Sequence, residues 1–321
     1  MTAVVALVTA GAASVPAGAS RPAAVRAQTP APTPAPATTP PAPPVVPTAA
    51  PGGSVAWRPE GRTVLGRPVI YRGNAGGVEV AWLDASLLRP VFVPGTGDGG
   101  GPWAWGGQVA PEARGQLVAA FNGGFKMGDI AGGWYTEGRT LKTLVPGQAS
   151  FVVYKDGHVA VGQWGRDVDL TPDVVSVRQN LGLLVDNGAP TAAAGSPGAW
   201  GGSVAGVATA RSGAGVDANG ALVLAQARVS PQGLADALVA AGAVRGMQLD
   251  INPDWTTMVV YDQNADGSVS GRKVMGSGGP GGLYLSPYAR DFFAVLIKPA
   301  VAAGGTGAIG SAPVKTTARV K

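Results

Sequence analysis

Three separated stretches carry residues that could act on a ligand. The first, "LVAAFNGGFKMGD" at residues 117–129, ends an apolar run in Asn122, Gly123 and Gly124. Glycines let the backbone approach a bound molecule closely because no Cβ intervenes, and an Asn beside them can bond a substrate hydroxyl. The second, "ATARSGAGVDANG" at 208–220, puts Arg211 on a strand otherwise poor in charge, where its planar fork suits an anion such as phosphate. The third, "GMQLDINPDW" at 246–255, ends an apolar strand in Asp250 and follows it with Asn252, Asp254 and Trp255. A pair of carboxylates can activate water or attack a sugar carbon, Asn252 can bind a hydroxyl, and Trp255 offers a stacking face. Each stretch also has a plainer reading. Asn-Gly-Gly between apolar runs is a hairpin signal, Asp250 can cap the "NPD" turn, Asp254 can terminate it, and Arg211 can be a structural ion-pair partner.

Composition narrows the chemistry. The 321-residue chain has no cysteine and one histidine, which removes disulfides, thiol nucleophiles, cysteine zinc sites and His-rich metal centres. No metal-ligand set and no cofactor motif emerges, and the residues do not decide on a divalent cation. "DQNADG" at 262–267 has the opening spacing of a calcium loop, but its twelfth position is Lys273, so it reads as a hairpin turn. His158 follows another hairpin turn and takes no role. "GTGDGGGPWAWGG" at 95–107 lacks the Lys-Ser/Thr of a phosphate loop and reads as a flexible loop near the site. Of the tryptophans Trp103, Trp105, Trp134, Trp200 and Trp255, only Trp255 lies beside candidate acids.

The formal charge of +5 does not argue for nucleic acid. All 19 acidic residues and 19 of the 24 basic ones fall between residues 54 and 299, and the excess is Arg21, Arg26, Lys315, Arg319 and Lys321 in the tails. Residues 1–27 contain "AVVALVTAGAA", an apolar run too short to span a bilayer, with small-residue cleavage candidates at Ala19 and Ala27. They read as a signal peptide or the remnant of an anchor, so the expected location is secreted or cell-surface in a bacterium. Residues 28–53 form a Pro/Ala/Thr-rich linker in extended polyproline conformation, suited to tethering a domain away from a membrane or wall. Residues 300–321 show no periodicity and read as a disordered tail.

The stretches above must be positioned by the elements between 54 and 299. Hydrophobic residues make up 45% of the chain, enough for a large core, while 51 Gly and 28 Pro predict many turns and short strands. Alternation marks "VEVAWLD" as a strand, and hairpins are expected around Asp156-Gly157 and Asn219-Gly220. One helix is predicted in "SPQGLADALVAAGAVRG": Ser230 caps it, Pro231 suits its first turn, Leu234, Leu238 and Ala241 share a face, and Gly242 closes it. The expected fold is α+β, a single mixed domain of many short strands with few helices.

The ordered succession "AAFNGGF", "GGWYTEGRTLKTL", "QNLGLLVDNG", "ATARSGAGVDANGALVLA" and "LADALVAAGAVRGMQLD" resembles the phosphodiester glycosidase family over roughly residues 70 to 297. Members show an Asn-Gly-Gly-Phe loop, an Arg-Thr-Ala strand before a hairpin, and an amphipathic helix leading to Leu-Asp-Gly-Gly-Gly-Ser. These correspond here to Asn122–Phe125, Arg211–Gly213, and Leu249 with Asp250. The chain departs from the pattern at Lys126, at Ser212, and after Asp250, where "INPDW" replaces the glycine triplet whose amides could cradle an oxyanion.

The resemblance implies cleavage of a sugar from a phosphodiester, through an oxocarbenium-like state and with a leaving group that needs little protonation. On that reading Asp250 and Asp254 are the catalytic carboxylates. Asn122, Gly123, Gly124, Arg211, Asn252 and Trp255 bind a carbohydrate or sugar-phosphate substrate, with Arg211 on the phosphate. The alternative is a non-catalytic carbohydrate-binding or wall-associated module on the same fold. Convergence of Asp250, Asp254, Arg211 and Asn122 on one pocket would favour the enzyme.

Overall fold

The computed structural model describes residues 50–97, 101–200 and 207–299. The signal or anchor, almost all of the linker, the centre of the "GTGDGGG" loop and the C-terminal tail lie outside them.

The described chain is built mainly of antiparallel strands, in one eight-stranded sheet, two five-stranded sheets and a two-stranded ribbon. The central strands of the eight-stranded sheet are Val78–Leu83, Leu222–Val229, Thr209–Asp217 and Ala243–Gln248, in that order. A second sheet centres on Ala149–Tyr154 and Val174–Gln179, and a third runs Val269–Gly276, Thr257–Gln263, Leu117–Asn122, Phe292–Ile297 and Leu88–Val93. The α+β expectation holds, with strands dominant.

Alternation along these strands decides which side chains meet. Ala214, Leu224 and Met247 of the eight-stranded sheet, Phe151 and Trp134 of the second, and Phe121 and Phe293 of the third share one buried cluster. Phe293 anchors it, with ring centroids 4.4 Å from Phe151 and 5.1 Å from both Phe121 and Phe92. Such close aromatic packing stabilises through buried area and ring geometry together.

The opposite face of the eight-stranded sheet is covered by the helix Pro231–Ala240, which buries Leu234, Ala235, Ala237 and Leu238. Its start follows from sequence: Ser230 Oγ accepts from Gly233 N at 3.1 Å, and Pro231 needs no donor there. Gly242, with φ of 96°, turns the chain directly into the Ala243–Gln248 strand. The hairpins at Asp156-Gly157 and Asn219-Gly220 form as expected, between Ala149–Tyr154 and Val159–Gln163 and between Thr209–Asp217 and Leu222–Val229. "DQNADG" is likewise a hairpin, and His158 is exposed beside Asp156.

The "FNGG" stretch is not a hairpin. Leu117–Asn122 pairs with Thr257–Gln263 on one side and Phe292–Ile297 on the other, both distant in sequence. Asn122 thus ends a strand at the centre of its sheet. Among the described residues no helix is long and apolar enough to cross a membrane.

Candidate functional site

Asn122, Gly123, Gly124, Asp250 and Trp255 come together around one small cleft, joined by Tyr288, Arg290 and Asp291. Strand ends bring them there. Asn122 closes the Leu117–Asn122 strand, Asp250 follows the Ala243–Gln248 strand, and Arg290 and Asp291 immediately precede the Phe292–Ile297 strand.

Asp250 is almost wholly buried. Its Oδ1 accepts from Ile251 N at 2.7 Å and Asn252 N at 2.9 Å, the turn-capping role, while Oδ2 lies 3.9 Å from Arg290 Nη2. Burial pushes its pKa up to about 7, against the lowering effects of those two amides and Arg290, and with a further push from Asp291. A carboxyl titrating there can exchange a proton near neutral pH.

Asp291, also buried, is held differently. Its Oδ2 accepts from Arg178 Nε at 2.9 Å and from Gly124 N at 3.3 Å, and its Oδ1 stands 4.0 Å from Arg290 Nη2 with no hydrogen bond of its own. A single guanidinium nitrogen therefore lies within 4.0 Å of both carboxylates. Arg290 also donates to Gly124 O at 3.0 Å and stacks on Trp255, with Cζ 4.5 Å from the ring centroid.

The glycines serve this packing. A Cβ on Gly123 would fall 2.1 Å from Asp291 Oδ2, and one on Gly124 3.0 Å from the Arg178 guanidinium and Asn180 Oδ1. Neither glycine has positive φ, so close approach, and not a left-handed backbone, explains them. Asn122 is fully committed within the protein. Its Nδ2 donates to Ser212 Oγ (2.9 Å) and Gly123 O (2.8 Å), and its Oδ1 accepts from Thr257 N (3.1 Å) and Gln226 Nε2 (3.3 Å). With both donors and both lone pairs occupied, Asn122 fixes the cleft and has nothing left for a substrate hydroxyl.

Three expected residues stand elsewhere. Arg211 is fully buried and points to the helix-covered face of its sheet, the face on which a Cβ at Gly213 would meet Leu234 and Leu238. There it donates to Gln248 Oε1 (2.6 Å), Val229 O (3.0 Å) and Val207 O (3.2 Å), and burial lowers its pKa. Strand parity is the reason: the next residue, Ser212, takes the cleft side and bonds Asn122 and Asp250 N. Asn252 turns its side chain back to accept from Asp254 N at 2.8 Å, a local turn bond. Asp254 is exposed and does not line the cleft.

Arg178, Arg290 and Asp291 escaped the sequence reading. Arg178 is a lone charge inside the apolar strand "VVSVRQ", the same signal that Arg211 carries. Arg290 and Asp291 abut the wholly buried strand "FFAVLI", as Asp250 follows "GMQL". That shared pattern, charge at the end of a buried strand, was the available clue.

The cleft is closed: the space between its lining atoms is about 170 Å³ with open solvent included, and none of it admits a water-sized sphere. A wider groove of about 280 Å³, lined by residues including Arg89, Phe92, Trp105, Glu137 and Tyr154, has one carboxylate among the described residues, and that one is engaged with Ala104 N. Of the two, only the narrow cleft brings two carboxylates together.

No family model and no curated protein matches the chain. Among solved structures it is similar to the zebrafish N-acetylglucosamine-1-phosphodiester alpha-N-acetylglucosaminidase catalytic domain auto-inhibited by its pro-peptide, at 17% identity over 76% of this chain and 88% of that one, with a TM-score of 0.45. A hypothetical protein from Synechocystis matches at 14% identity over 76% of this chain and 62% of that one, TM-score 0.37. A Burkholderia pseudomallei protein described as exported matches at 15% identity over 73% and 75%, TM-score 0.32.

Proposed function

We propose that the protein is an extracytoplasmic glycosidase that hydrolyses a sugar 1-phosphodiester or a related wall or exopolysaccharide glycan bond, with Asp250 as its base and Asp291 as the carboxylate that stabilises the sugar cation. The observation that carries this reading is the sharing of one buried Arg290 nitrogen by two buried carboxylates held in unlike ways. Unlike environments assign unlike roles to paired carboxylates. Asp250, with its pKa near 7, takes the proton of an attacking water through Oδ2. Asp291, bonded by Arg178 Nε and Gly124 N, is the carboxylate that stabilises the oxocarbenium-like sugar. A phosphate leaving group departs as a stable anion and needs no separate acid. Asp291 thus takes the place expected of Asp254.

The test is a hydrolysis screen of the chain against sugar 1-phosphodiesters. Asp250→Asn and Asp291→Asn should each lower turnover by ~100-fold or more while circular dichroism shows an unchanged fold. Normal turnover in both folded variants would overturn the assignment. That Arg211 and Asp254 do not converge on the cleft with Asn122 and Asp250 favours a second reading, a carbohydrate-binding module without turnover. Sugar binding without hydrolysis by the wild-type chain selects it.

A further inference from the structure

An anionic substrate group needs donors, and the loop amides around the cleft are already spent. Gly123 N bonds Asp291 O, Gly124 N bonds Asp291 Oδ2, Phe125 N bonds Asn180 Oδ1, Ile251 N and Asn252 N bond Asp250 Oδ1, and Pro253 has no N–H. Recognition of an anion must therefore come from side chains. Arg178 is bonded to Asp291, and Arg290 is divided between two carboxylates.

Lys126 differs from both. It is exposed, on the loop two residues after Gly124, and its Nζ lies 5.1 Å from the centroid of the Trp255 ring that Arg290 also contacts. Among the described residues its ammonium has no carboxylate partner. A cation held by an aromatic face keeps its donors turned outward, because the ring satisfies charge but accepts no conventional hydrogen bond. In number Arg178, Arg290 and Lys126 match Asp250, Asp254 and Asp291, so exposure and the lack of a carboxylate contact, and not an excess of cations, set Lys126 apart.

We propose that Lys126, steadied on Trp255, is the specificity-determining residue of the cleft and binds an anionic group of the substrate, a phosphate or a sugar carboxylate. The proposal rests on the cleft being the substrate site. It makes the substrate class an anionic glycan, with the charge at the cleft mouth and the scissile bond over Asp250.

Calorimetric titration of the full chain at low salt with glucose 1-phosphate, glucuronic acid and neutral methyl glucoside tests it, on wild type, Lys126→Met and Lys126→Arg. Met keeps the apolar stem on Trp255 and removes the charge; Arg keeps the charge. Wild type should prefer at least one anionic ligand over the neutral one. Met should weaken that ligand by ~10-fold with the neutral sugar unchanged, and Arg should stay within ~3-fold of wild type. The better of the two anions identifies the group recognised. Equal affinities for all three ligands in wild type, no binding of either anion, or equal losses for charged and neutral ligands in Met would overturn the proposal. A Lys126-dependent anion preference without hydrolysis would sustain it while removing the glycosidase reading. Asp250-dependent hydrolysis indifferent to Lys126 would do the reverse.

Discussion

Burial and hydrogen bonding pull the Asp250 proton in opposite directions, and burial prevails. Because its folded pKa is about 7, above the ordinary value of 3.8, the folded state holds a proton that the unfolded chain gives up. The stability this contributes is fully present below about pH 4 and is lost as pH rises through about 7, a difference of roughly a few kcal/mol. Asp250→Asn keeps an acceptor for Ile251 N and Asn252 N and has no charge to bury. Its melting temperature should therefore gain on wild type between about pH 4 and pH 7 and level off above, as thermal melts across that range would show. If Asp250 is the base, wild-type kcat/KM should rise through the same pH window. Arg211 makes the opposite prediction. Its hydrogen-bond partners are structural, so Arg211→Lys should lower stability by about 2 kcal/mol through unsatisfied buried acceptors while leaving KM unchanged. Melts paired with steady-state kinetics separate the two effects.

The elements that carry these residues were legible to different degrees. Local signals held: the Ser230 cap, the helix, and the Asn-Gly, Asp-Gly and "DQNADG" hairpins each depend on neighbours a few residues away. Strand pairing was not legible. "FNGG" looks like a hairpin, but its strand finds its partners at Thr257–Gln263 and Phe292–Ile297, and no local pattern announces pairings at that separation. Facing was not legible either. "ARS" on the Thr209–Asp217 strand offers a guanidinium and a hydroxyl to opposite sides, and only the helix packed over Gly213 decides that Ser212 receives the cleft. The end of the Ala243–Gln248 strand was readable, and so Asp250 was found. Asp291 stands at an equivalent end, just before the Phe292–Ile297 strand. The Asn122 side chain is what joins the sheets at this point, reaching Ser212 and Gln226 on one and Thr257 on another. Asn122→Ala should strand those polar groups and cost about 3 kcal/mol, seen as a lower denaturation midpoint with an unchanged slope.

At the scale of the molecule, residues of all three larger sheets meet around the cleft: Asn122 and Asp291 from one, Asp250 from the eight-stranded sheet, and Arg178 of the remaining one behind Asp291. The folded region is neutral by charge count, so attraction to an anionic glycan must be local to the cleft and not a property of the whole surface. Export, proposed from the apolar N-terminal run, sets the mature start near Ser20 or Gln28, which N-terminal sequencing of secreted material checks; intact Met1 in a cytoplasmic fraction would contradict it. The occupied loop amides have a consequence in exchange kinetics. Loop N–H groups ordinarily trade with solvent through small local openings. Here Gly123 N–H is buried against Asp291 O, and Thr257 N–H against Asn122 Oδ1, so neither can be released without parting neighbouring strands that are distant in sequence. In deuterium both should exchange as slowly as the Phe121 and Phe293 amides of the core, at rates that follow global stability.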